Sequence, residues 1–551
     1  MKIASDEARA ERAFPEGYLQ PALDFAGPDE FLAHLYLPLD RGFLITGDTG
    51  PANMTWLRAR YGNIVRVVPC PPRVVLAAIE RKFRDVFQHR AVEGLVESEP
   101  QFSASTVITR RQCVALAVSL GVVFLLLFAA PQISSVVLAE ICGVLFIANA
   151  AFRAVLLWIG AEEPPPAPRV QGEDASLPIY SILVPLYREA NVMPALMRAL
   201  RSLDYPKDRL DIKLIVEADD RDTAMVADAV AARDSSFSVI RVPSGTPRTK
   251  PRACNYAMPF VLGEFTVIFD AEDRPEPDQL RKAVAAFRAA PESIACLQAR
   301  LNFYNADENW LTRMFALDYA LWFDYLLLGL DRLNIPMPLG GTSNHFRTAA
   351  LRAIHCWDPY NVTEDADIGI RLARVGLRVR TLDSTTFEEA TNDFGNWLRQ
   401  RSRWLKGYMQ TWLVHMRSPL TLLRNAGLGG FIGFQLFVGG TFISALANPV
   451  LWAIFLLSEF FGVHLLSAPA AAVAAHVSIV GLAAGNGMFA YLAMLAPFRR
   501  GWLELTPYGL TAPFYWLLIS AAGARALWQL IFRPWYWEKT SHGLCKIGGA
   551  V

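Results

Sequence analysis

Two apolar regions flank a hydrophilic stretch of about one domain's length, and this arrangement constrains the fold more than any other feature. Residues 113–130 carry no charged side chain and are long enough to cross a bilayer as a helix. Pro131-Gln132 predicts a turn, after which residues 136–159 can return through the bilayer. This second segment contains Glu140 and Arg153, and an ionisable residue in a span indicates function by default. Near the ends of a span, however, snorkelling to the interface is the favoured interpretation.

The chain becomes apolar again from about residue 431, and Asn448-Pro449 predicts a break between the first two candidate spans there. The basic pairs Arg417/Arg424 and Arg533/Lys539 indicate cytoplasmic ends. With four spans, Arg499-Arg500 falls on the opposite side, against the charge rule. The candidate spans are residues 431–447, 450–461, 470–496 and 508–532.

Composition excludes several classes of protein. The net charge of +1 gives no global field that favours nucleic acid or another strongly charged partner. The seven cysteines include no C-x-x-C pair, so neither a disulfide framework nor a zinc site is indicated. The N-terminus is polar and acidic and lacks an apolar signal-peptide core, so we expect the first domain to be cytoplasmic.

The first 105 residues predict a small α+β module. Strands are predicted at residues 42–46 and 64–68 and helices at 53–61 and 74–87, the last with Val75, Ile79 and Phe83 on one face. The stretch loosely resembles the N-terminal domain of type II secretion ATPases, without a catalytic signature. A docking or regulatory role is the simplest interpretation.

Residues 175–390 alternate strands with helices. Strands are predicted at 180–185, 212–216 and 265–269, and a helix at 190–203. This alternation predicts a parallel or mixed sheet that binds ligands at the carboxyl edge of its strands.

Three groups of acidic or basic residues near the strand ends are candidates for nucleotide chemistry. Asp270 and Glu272 follow a strand and, if extended, would direct two carboxylates to one magnesium or manganese ion. Asp219, with Glu217 beside it, can accept hydrogen bonds from a nucleobase or ribose, whereas Asp220 is interpreted as part of a polar turn. Lys250 is a candidate phosphate contact, although a solvated surface position explains a lone lysine equally well.

Asp365, in Thr363-Glu364-Asp365, is placed to act as a general base, and capping of the following helix by Thr363 is the alternative. Gln400, Arg403, Trp404 and Gly407 share one helical face. On it, arginine would bind a leaving diphosphate and tryptophan would stack on a sugar ring. A membrane-surface helix is the alternative there.

Together these motifs resemble the membrane-bound family 2 glycosyltransferases, which include cellulose, hyaluronan and chitin synthases. The likeness covers roughly residues 105–545 and is greatest to bacterial synthases of β-glucan-type exopolysaccharides. One departure is Asp-x-Glu in place of the usual Asp-x-Asp, which leaves the second metal ligand open between Glu272 and Asp273. The resemblance implies that Asp365 and Glu364 form the catalytic pair and that the donor is bound by Tyr187, Glu189, Glu217, Asp219, Lys250, Gln400, Arg403 and Trp404. It implies that the acceptor is bound by Phe303, Tyr304, Asn305, Ser343 and Trp404. It also implies a loop over the nucleotide that contains Trp537, Lys539, Thr540 and His542.

The resemblance implies a GT-A-type α/β catalytic domain, with a mixed and largely parallel sheet, embedded between transmembrane helices. We expect the following order: N-terminal module 1–105, transmembrane hairpin 106–162, catalytic domain 170–395, interfacial helices 396–426, C-terminal transmembrane region 427–533 and cytoplasmic gating-loop-like tail 534–551.

The function implied is metal-dependent, inverting polymerisation of a β-linked exopolysaccharide, with UDP-glucose as the expected donor and export across the bacterial inner membrane. The catalytic domain would face the cytoplasm, Mg²⁺ or Mn²⁺ would be the cofactor, and accessory export or regulatory proteins are candidate partners. Two alternatives stay open. One is transfer of a single sugar to a lipid, and the other is a non-catalytic membrane scaffold or export subunit.

Overall fold

The computed structural model describes residues 27–39, 43–61, 66–163, 174–461, 469–539 and 543. The described strands are β1 (Tyr36–Leu39), β2 (Phe43–Thr46), β3 (Arg66–Pro69), β4 (Tyr180–Leu186), β5 (Leu210–Glu217), β6 (Phe237–Val242), β7 (Phe265–Ile268), β8 (Arg274–Pro275), β9 (Ile294–Phe303), β10 (Asn344–Arg347) and β11 (Arg378–Glu388). The described α-helices are α1 (Pro28–Ala33), α2 (Pro51–Tyr61), α3 (Pro72–Lys82), α4 (Arg84–Ser98), α5 (Arg110–Ala129), α6 (Pro131–Gly160), α7 (Met193–Arg201), α8 (Arg221–Ala231), α9 (Lys250–Ala257), α10 (Gln279–Ala289), α11 (Trp310–Leu321), α12 (Leu327–Arg332), α13 (Thr348–Ala353), α14 (Glu364–Arg374), α15 (Phe394–His415), α16 (Pro419–Phe434), α17 (Gly440–Phe461), α18 (Pro469–Leu495) and α19 (Ala512–Phe532).

The chain forms two compact units. The first unit contains Met1–Gly94, Pro178–Ala190 and Pro206–Thr266, and the second contains Leu95–Leu177, Asn191–Tyr205 and Val267–Val551. The N-terminal segment is therefore grouped with part of the catalytic sequence.

The N-terminal part of the first unit is the predicted α+β module. Its sheet has the order β1-β2-β3, with β1 antiparallel and β3 parallel to β2. The single helix predicted at residues 74–87 is wrong, because the backbone leaves helical geometry at Phe83 and two helices, α3 and α4, result. Val75 and Ile79 are fully buried, as their spacing predicts.

The larger sheet confirms the GT-A-type expectation of mixed, largely parallel strands. In the first unit β4, β5 and β6 are parallel, in the order β6-β5-β4. Every residue of β5 is buried, including Asp211 and Lys213, whose side chains form an ion pair at 2.8 Å. In the second unit the order is β10-β9-β11-β8; β11 is parallel to β9, and the outer two strands are antiparallel to their neighbours.

Four helical segments are long and apolar enough to cross a membrane within the described part of the chain. They are residues 110–129, 140–160, 419–453 and 503–532. The turn predicted at Pro131-Gln132 is wrong, because α6 begins at Pro131 and only Ala130 departs from helical geometry. Proline is tolerated in the first helical turn, where its missing N–H has no intrahelical partner to lose.

The break predicted at Asn448-Pro449 is also wrong. Helix α17 continues through Pro449, and a π-helical turn at Gln435–Gly439 joins it to α16. Asn448 forms a reciprocal side-chain pair with Asn486 of α18, at 3.3 Å. Neighbouring polar groups of this kind make a proline tolerable within a membrane helix.

Merging those two predicted spans changes the position of Arg499 and Arg500. Arg499 donates to the carbonyl oxygens of Gly160 and Ala161, at 2.9 and 2.8 Å, and so lies beside the end of α6. Arg500 forms an ion pair with Asp324, at 2.6 Å. The placement of these arginines on the side opposite the cytoplasmic ends applied to four separate C-terminal spans, two of which are joined here.

Arg153 is held inside the helical region and does not snorkel towards an interface. Its Nε donates to Asn149, at 3.0 Å, and its Nη2 donates to Thr441 of α17, at 2.7 Å. The guanidinium also lies over the ring of Phe437, at 5.4 Å. These contacts tie α6 to α17, so the favoured snorkelling interpretation is wrong for this residue.

Candidate active site

The donor group, which we define as Tyr187, Glu189, Glu217, Asp219 and Lys250, lies in the first unit at the ends of β4 and β5 and the start of α9. Arg188 has a positive φ of 57°, a conformation uncommon for a non-glycine residue. Its backbone N–H donates to the side chain of Asp220. Asp220 also caps α8 by accepting from the Thr223 amide, at 3.3 Å, which confirms the polar-turn interpretation of Asp220.

Arg248 joins two members of the donor group and was missed by the sequence reasoning. Its Nη1 donates to the Tyr187 hydroxyl and its Nη2 lies by the Asp219 carboxylate, each at 2.9 Å. The only signal in the sequence was its position two residues before Lys250. A basic residue in a loop carries little information until the fold shows what it faces.

Glu217 is buried and bound by Arg252, a second residue that the sequence reasoning did not select. The Arg252 guanidinium donates to both Glu217 carboxylate oxygens, at 2.9 and 2.6 Å. Burial raises the pKa of Glu217 above its ordinary value, and the charge of Arg252 offsets part of that rise. Glu189 is also buried, and its amide donates to Thr223. Direct donor contact by Glu217 and Glu189 stays a prediction.

In the second unit, the acidic motif after β7 is a turn and not an extended strand end. The strand ends at Ile268, and the amide of Asp273 donates to the carbonyl of Asp270, at 3.2 Å. The reasoning that Asp270 and Glu272 alternate along a strand is therefore wrong. Asp273 is fully buried and accepts from the Asp270 amide, at 2.7 Å, and from the Thr342 hydroxyl.

Two carboxylates fit the ligand requirement of a magnesium or manganese ion that also binds phosphate. Asp270 and Glu272 are half-buried, whereas Asp273 is committed to the turn. Burial raises the pKa of Asp273 well above its ordinary value, and the charges of Asp270 and Glu272 raise it further. Among the described residues no group of three or more His, Cys, Asp or Glu side chains could hold a metal ion.

Asp365, the predicted base, lies in the first turn of α14 with a half-buried side chain. One of its carboxylate oxygens accepts from the Ala366 amide, at 2.7 Å. Thr363 occupies the position before the helix, but its side chain makes no capping hydrogen bond, so the capping alternative is wrong for Thr363. Glu364 is buried beside it. A Cβ added at Gly341 would lie 3.2 Å from the other Asp365 oxygen, so glycine leaves that oxygen room.

Helix α15 brings the predicted Gln400, Arg403 and Trp404 face against the segment that carries Asp365. A Cβ added at Gly407 would lie 2.1 Å from the Thr363 hydroxyl oxygen, so the two backbones can approach only at a glycine. Gln410 accepts from the Val362 amide, at 3.0 Å, on the same side. Of the predicted face, Gly407 and Arg403 contact this segment, Arg403 by donating to the Val362 carbonyl at 3.5 Å, and the roles of Gln400 and Trp404 stay predictions.

The side chains of this face differ in their surroundings. Trp404 packs against Phe315 and Tyr319, with ring centroids 5.7 and 6.0 Å away. The Gln400 side-chain oxygen is buried and accepts no hydrogen bond from the described residues. Arg403 lies over the ring of Trp537 from the C-terminal segment, at 4.6 Å. These are the groups available to a donor or acceptor beside Asp365.

A buried cluster of charged and polar side chains links α14 to α15. Arg371 and His415 contact the two oxygens of Asp367, at 2.7 and 2.9 Å. Burial lowers the pKa of His415, and its hydrogen bond to the Asp367 carboxylate offsets that lowering only in part. The cluster fixes α14 against α15 and was not visible in the sequence.

The residues predicted to contact the acceptor also pack within the domain. Phe303 is buried between the rings of Phe315 and Tyr319, and Asn305 forms hydrogen bonds with Ala390. Ser343 is buried and donates to Thr386, at 2.7 Å, whereas Tyr304 is half-buried with Arg274 over its ring, at 3.8 Å. Sugar contact by these four residues stays a prediction.

The C-terminal segment 534–539 is held on α15. Lys406 donates to the Tyr536 carbonyl, at 2.7 Å, and burial lowers the pKa of Lys406 to about 8. Glu538 forms a bidentate pair with Arg525, at 2.8 and 2.7 Å. Lys539 is exposed, and Thr540 and His542 lie outside the described residues.

Comparison with known proteins agrees with this geometry. The family model for glycosyl transferase family group 2 matches residues 265–520. The chain is 28% identical over 242 residues to the β-monoglucosyldiacylglycerol synthase of Trichormus variabilis, covering 43% of this chain and 50% of that protein. It is 26% identical over 394 residues to the synthase of the same name from Synechocystis, covering 69% of this chain and 78% of that protein.

A similar solved structure is the mannosyltransferase PcManGT from Pyrobaculum calidifontis in complex with GDP-Man and Mn²⁺. It is 20% identical, with a TM-score of 0.45, and the match covers 71% of this chain and 99% of that one. The chain spans about half the length of the first curated relative that it matches. Residues 265–520 thus match the model of the family 2 glycosyltransferases, and the mixed, largely parallel sheet is of the GT-A type.

Proposed function

We propose that this chain is an inverting glycosyltransferase that moves a sugar from a UDP-sugar, with UDP-glucose the favoured donor, to a lipid acceptor at a membrane. The observation that carries the proposal is the packing of the Asp365 segment against the Gln400, Arg403 and Trp404 face of α15. The candidate membrane spans in the same unit support an acceptor drawn from the bilayer. Relatives named as glycolipid synthases favour a lipid over a polymer.

Asp365 is the proposed general base. Its half-buried carboxylate removes the proton from the acceptor hydroxyl as that oxygen attacks the anomeric carbon. One displacement inverts the configuration, so an α-linked donor gives a β-linked product. Arg403 offers a planar cation to the departing diphosphate, and Trp404 offers a ring face to the acceptor sugar or headgroup.

Asp270 and Glu272 are the residues that would hold Mg²⁺ or Mn²⁺, which would neutralise charge on the leaving diphosphate. Asp273 supports the pair by fixing the turn through the Asp270 amide. Within the donor group, Tyr187 and Asp219 recognise the nucleoside.

A second candidate function is processive synthesis of a β-linked exopolysaccharide with export through the membrane helices. One observation favours it. The C-terminal segment lies on α15, with Trp537 under Arg403, as expected of the loop that covers the nucleotide in the synthases this chain resembles. In both functions the catalytic domain would face the cytoplasm of a bacterial inner membrane. Accessory export or regulatory proteins are candidate partners for the second.

The two functions predict different products from one experiment. Purified protein in liposomes containing diacylglycerol is incubated with radiolabelled UDP-glucose and Mg²⁺ or Mn²⁺. Label that extracts into organic solvent and depends on diacylglycerol supports the glycolipid function. Label in a large, water-soluble or insoluble glycan that forms without added lipid supports the polymer. Absence of both products and of UDP release, with UDP-glucose and other UDP-sugars, would contradict both functions.

A further inference from the structure

The loop between β6 and α9, residues 243–249, presents Arg248 to the donor group. The guanidinium donates to the Tyr187 hydroxyl and lies over the Tyr187 ring, at 5.3 Å. Its other terminal nitrogen contacts Asp219, at 2.9 Å. The three side chains are partly exposed, so a ligand can reach them, and Lys250 begins α9 directly after the loop.

The base of this loop is held by the N-terminal module. Gln88 of α4 donates to the carbonyl oxygen of Ser244, at 3.0 Å. A Cβ added at Gly245 would lie 2.9 Å from the Gln88 amide nitrogen and 2.6 Å from Nη1 of Arg252. The backbone of the loop therefore lies against the ends of these two side chains, and a larger residue at position 245 would displace them.

Gln88 is itself part of a fixed surface. The ring of Phe87 packs edge-on against Phe260, with centroids 5.1 Å apart. Tyr256 donates to Glu80 of α3, at 2.5 Å, and Asn255 donates to the Ala91 carbonyl, at 3.2 Å. These contacts hold α3 and α4 against α9. The helix that carries Gln88 is therefore packed firmly where Gln88 contacts the loop.

We infer that Arg248 recognises the diphosphate of the donor nucleotide and that the N-terminal module sets its position through Gln88. The inference rests on the proposed function, because it concerns the donor of that reaction. A guanidinium is permanently charged, and its planar fork matches diphosphate oxygens. Without nucleotide, Asp219 and Tyr187 hold Arg248; with nucleotide, the diphosphate takes the place of the Asp219 carboxylate. The module is then a positioning element for donor binding.

Binding of UDP and of uridine to the full-length protein in detergent, measured by calorimetry, tests the first part. Arg248→Gln is expected to weaken UDP binding about tenfold and to leave uridine binding unchanged, because uridine has no diphosphate. Arg58→Gln, an exposed substitution in the same module, is the control and is expected to change neither. Unchanged UDP affinity in Arg248→Gln, or an equal loss for uridine, would overturn the role of Arg248.

A double-mutant cycle tests the second part. Gln88→Leu is expected to weaken UDP binding less than Arg248→Gln, to raise the KM for the donor and to leave kcat unchanged. Adding Gln88→Leu to Arg248→Gln is expected to cause no further loss, because Gln88 acts through Arg248. Additive losses would overturn the link to the module.

Two further measurements keep the test decisive. If Arg248→Gln fails to fold, Arg248→Lys keeps the charge without the planar fork; an intermediate UDP affinity supports the inference and wild-type affinity overturns it. A wild-type protein that does not bind UDP would contradict the proposed function itself. If only the inference about Arg248 and Gln88 is wrong, the wild-type protein will still bind UDP.

Discussion

Asp365 is the side chain on which the proposed transfer depends most directly. It lies half-buried at the start of α14, beside the glycine at 341 and within the segment that packs on α15. A carboxylate held at a helix start is already oriented, so little reorganisation is needed when the acceptor arrives.

Asp365→Asn is predicted to reduce transfer by about 10²–10⁴ while UDP binding stays nearly normal, since only the proton acceptor is lost. Initial rates with a saturating UDP-sugar, together with UDP calorimetry on the same sample, check this expectation. Turnover close to that of the wild type would remove Asp365 from the role of base.

Asp270 and Asp273 are predicted to respond differently to substitution. Asp270→Ala should abolish the metal dependence of UDP binding, whereas Asp273→Asn should retain it, because burial favours the neutral form of Asp273 and asparagine is its neutral isostere. Asp273→Ala should lower thermal stability by about 1–3 kcal/mol by leaving buried donors unpaired. Manganese titrations with UDP and thermal melts separate the three variants. A normal manganese response in Asp270→Ala would place the metal elsewhere.

At the scale of elements, the contact between α15 and the Asp365 segment decides the geometry of the site. The contact depends on a glycine at position 407 and on the buried Asp367, Arg371 and His415 cluster, which also links α14 to α15. Interiors this closely packed transmit a small displacement directly to neighbouring groups.

Gly407→Ala is predicted to cost about 1–3 kcal/mol of stability and to reduce activity by about 10²-fold, because its Cβ collides with Thr363 and moves the Asp365 segment. Gly429→Ala is the matched control, since a Cβ there meets no atom within 4 Å. Thermal melts and initial rates measured on both variants check the prediction. Equal, small effects of the two substitutions would show that this contact does not position Asp365.

At the scale of the whole molecule, the joining of α16 and α17 changes the predicted number of times that the chain crosses the membrane. The segments between Arg417 and Arg499 are now a helical run from Pro419 to Phe461, kinked at Gly427 where φ is 70°, and α18. Arg499 returns to the end of α6, and Lys406 binds the carbonyl groups of Arg533 and Tyr536. The C-terminal segment thus lies beside the catalytic helix α15.

Because Lys406 of α15 binds the carbonyl groups of Arg533 and Tyr536, we predict that the tail faces the cytoplasm with the catalytic domain. This requires that only two of the three helical segments between Arg417 and Arg533 cross the bilayer. A cysteine at position 541, in a protein whose seven native cysteines are replaced, should be labelled from outside in inverted vesicles and not in right-side-out vesicles. UDP should slow the labelling if the tail covers the nucleotide. Labelling from the periplasmic face would contradict this topology.

The sequence by itself determined the sheet-and-helix alternation, the apolar segments and the acidic motifs, because these depend on local patterns of polarity and on residue type. It predicted Asp365 and the shared face of Gln400, Arg403 and Trp404 for the same reason. Only the tertiary structure decided that Pro449 lies within a helix and that residues 270–273 form a turn, since neighbouring elements supply the compensating contacts. It alone also revealed Arg248, Arg252 and the support from Gln88, because their partners lie far away in the chain and a basic or amide side chain has no local pattern.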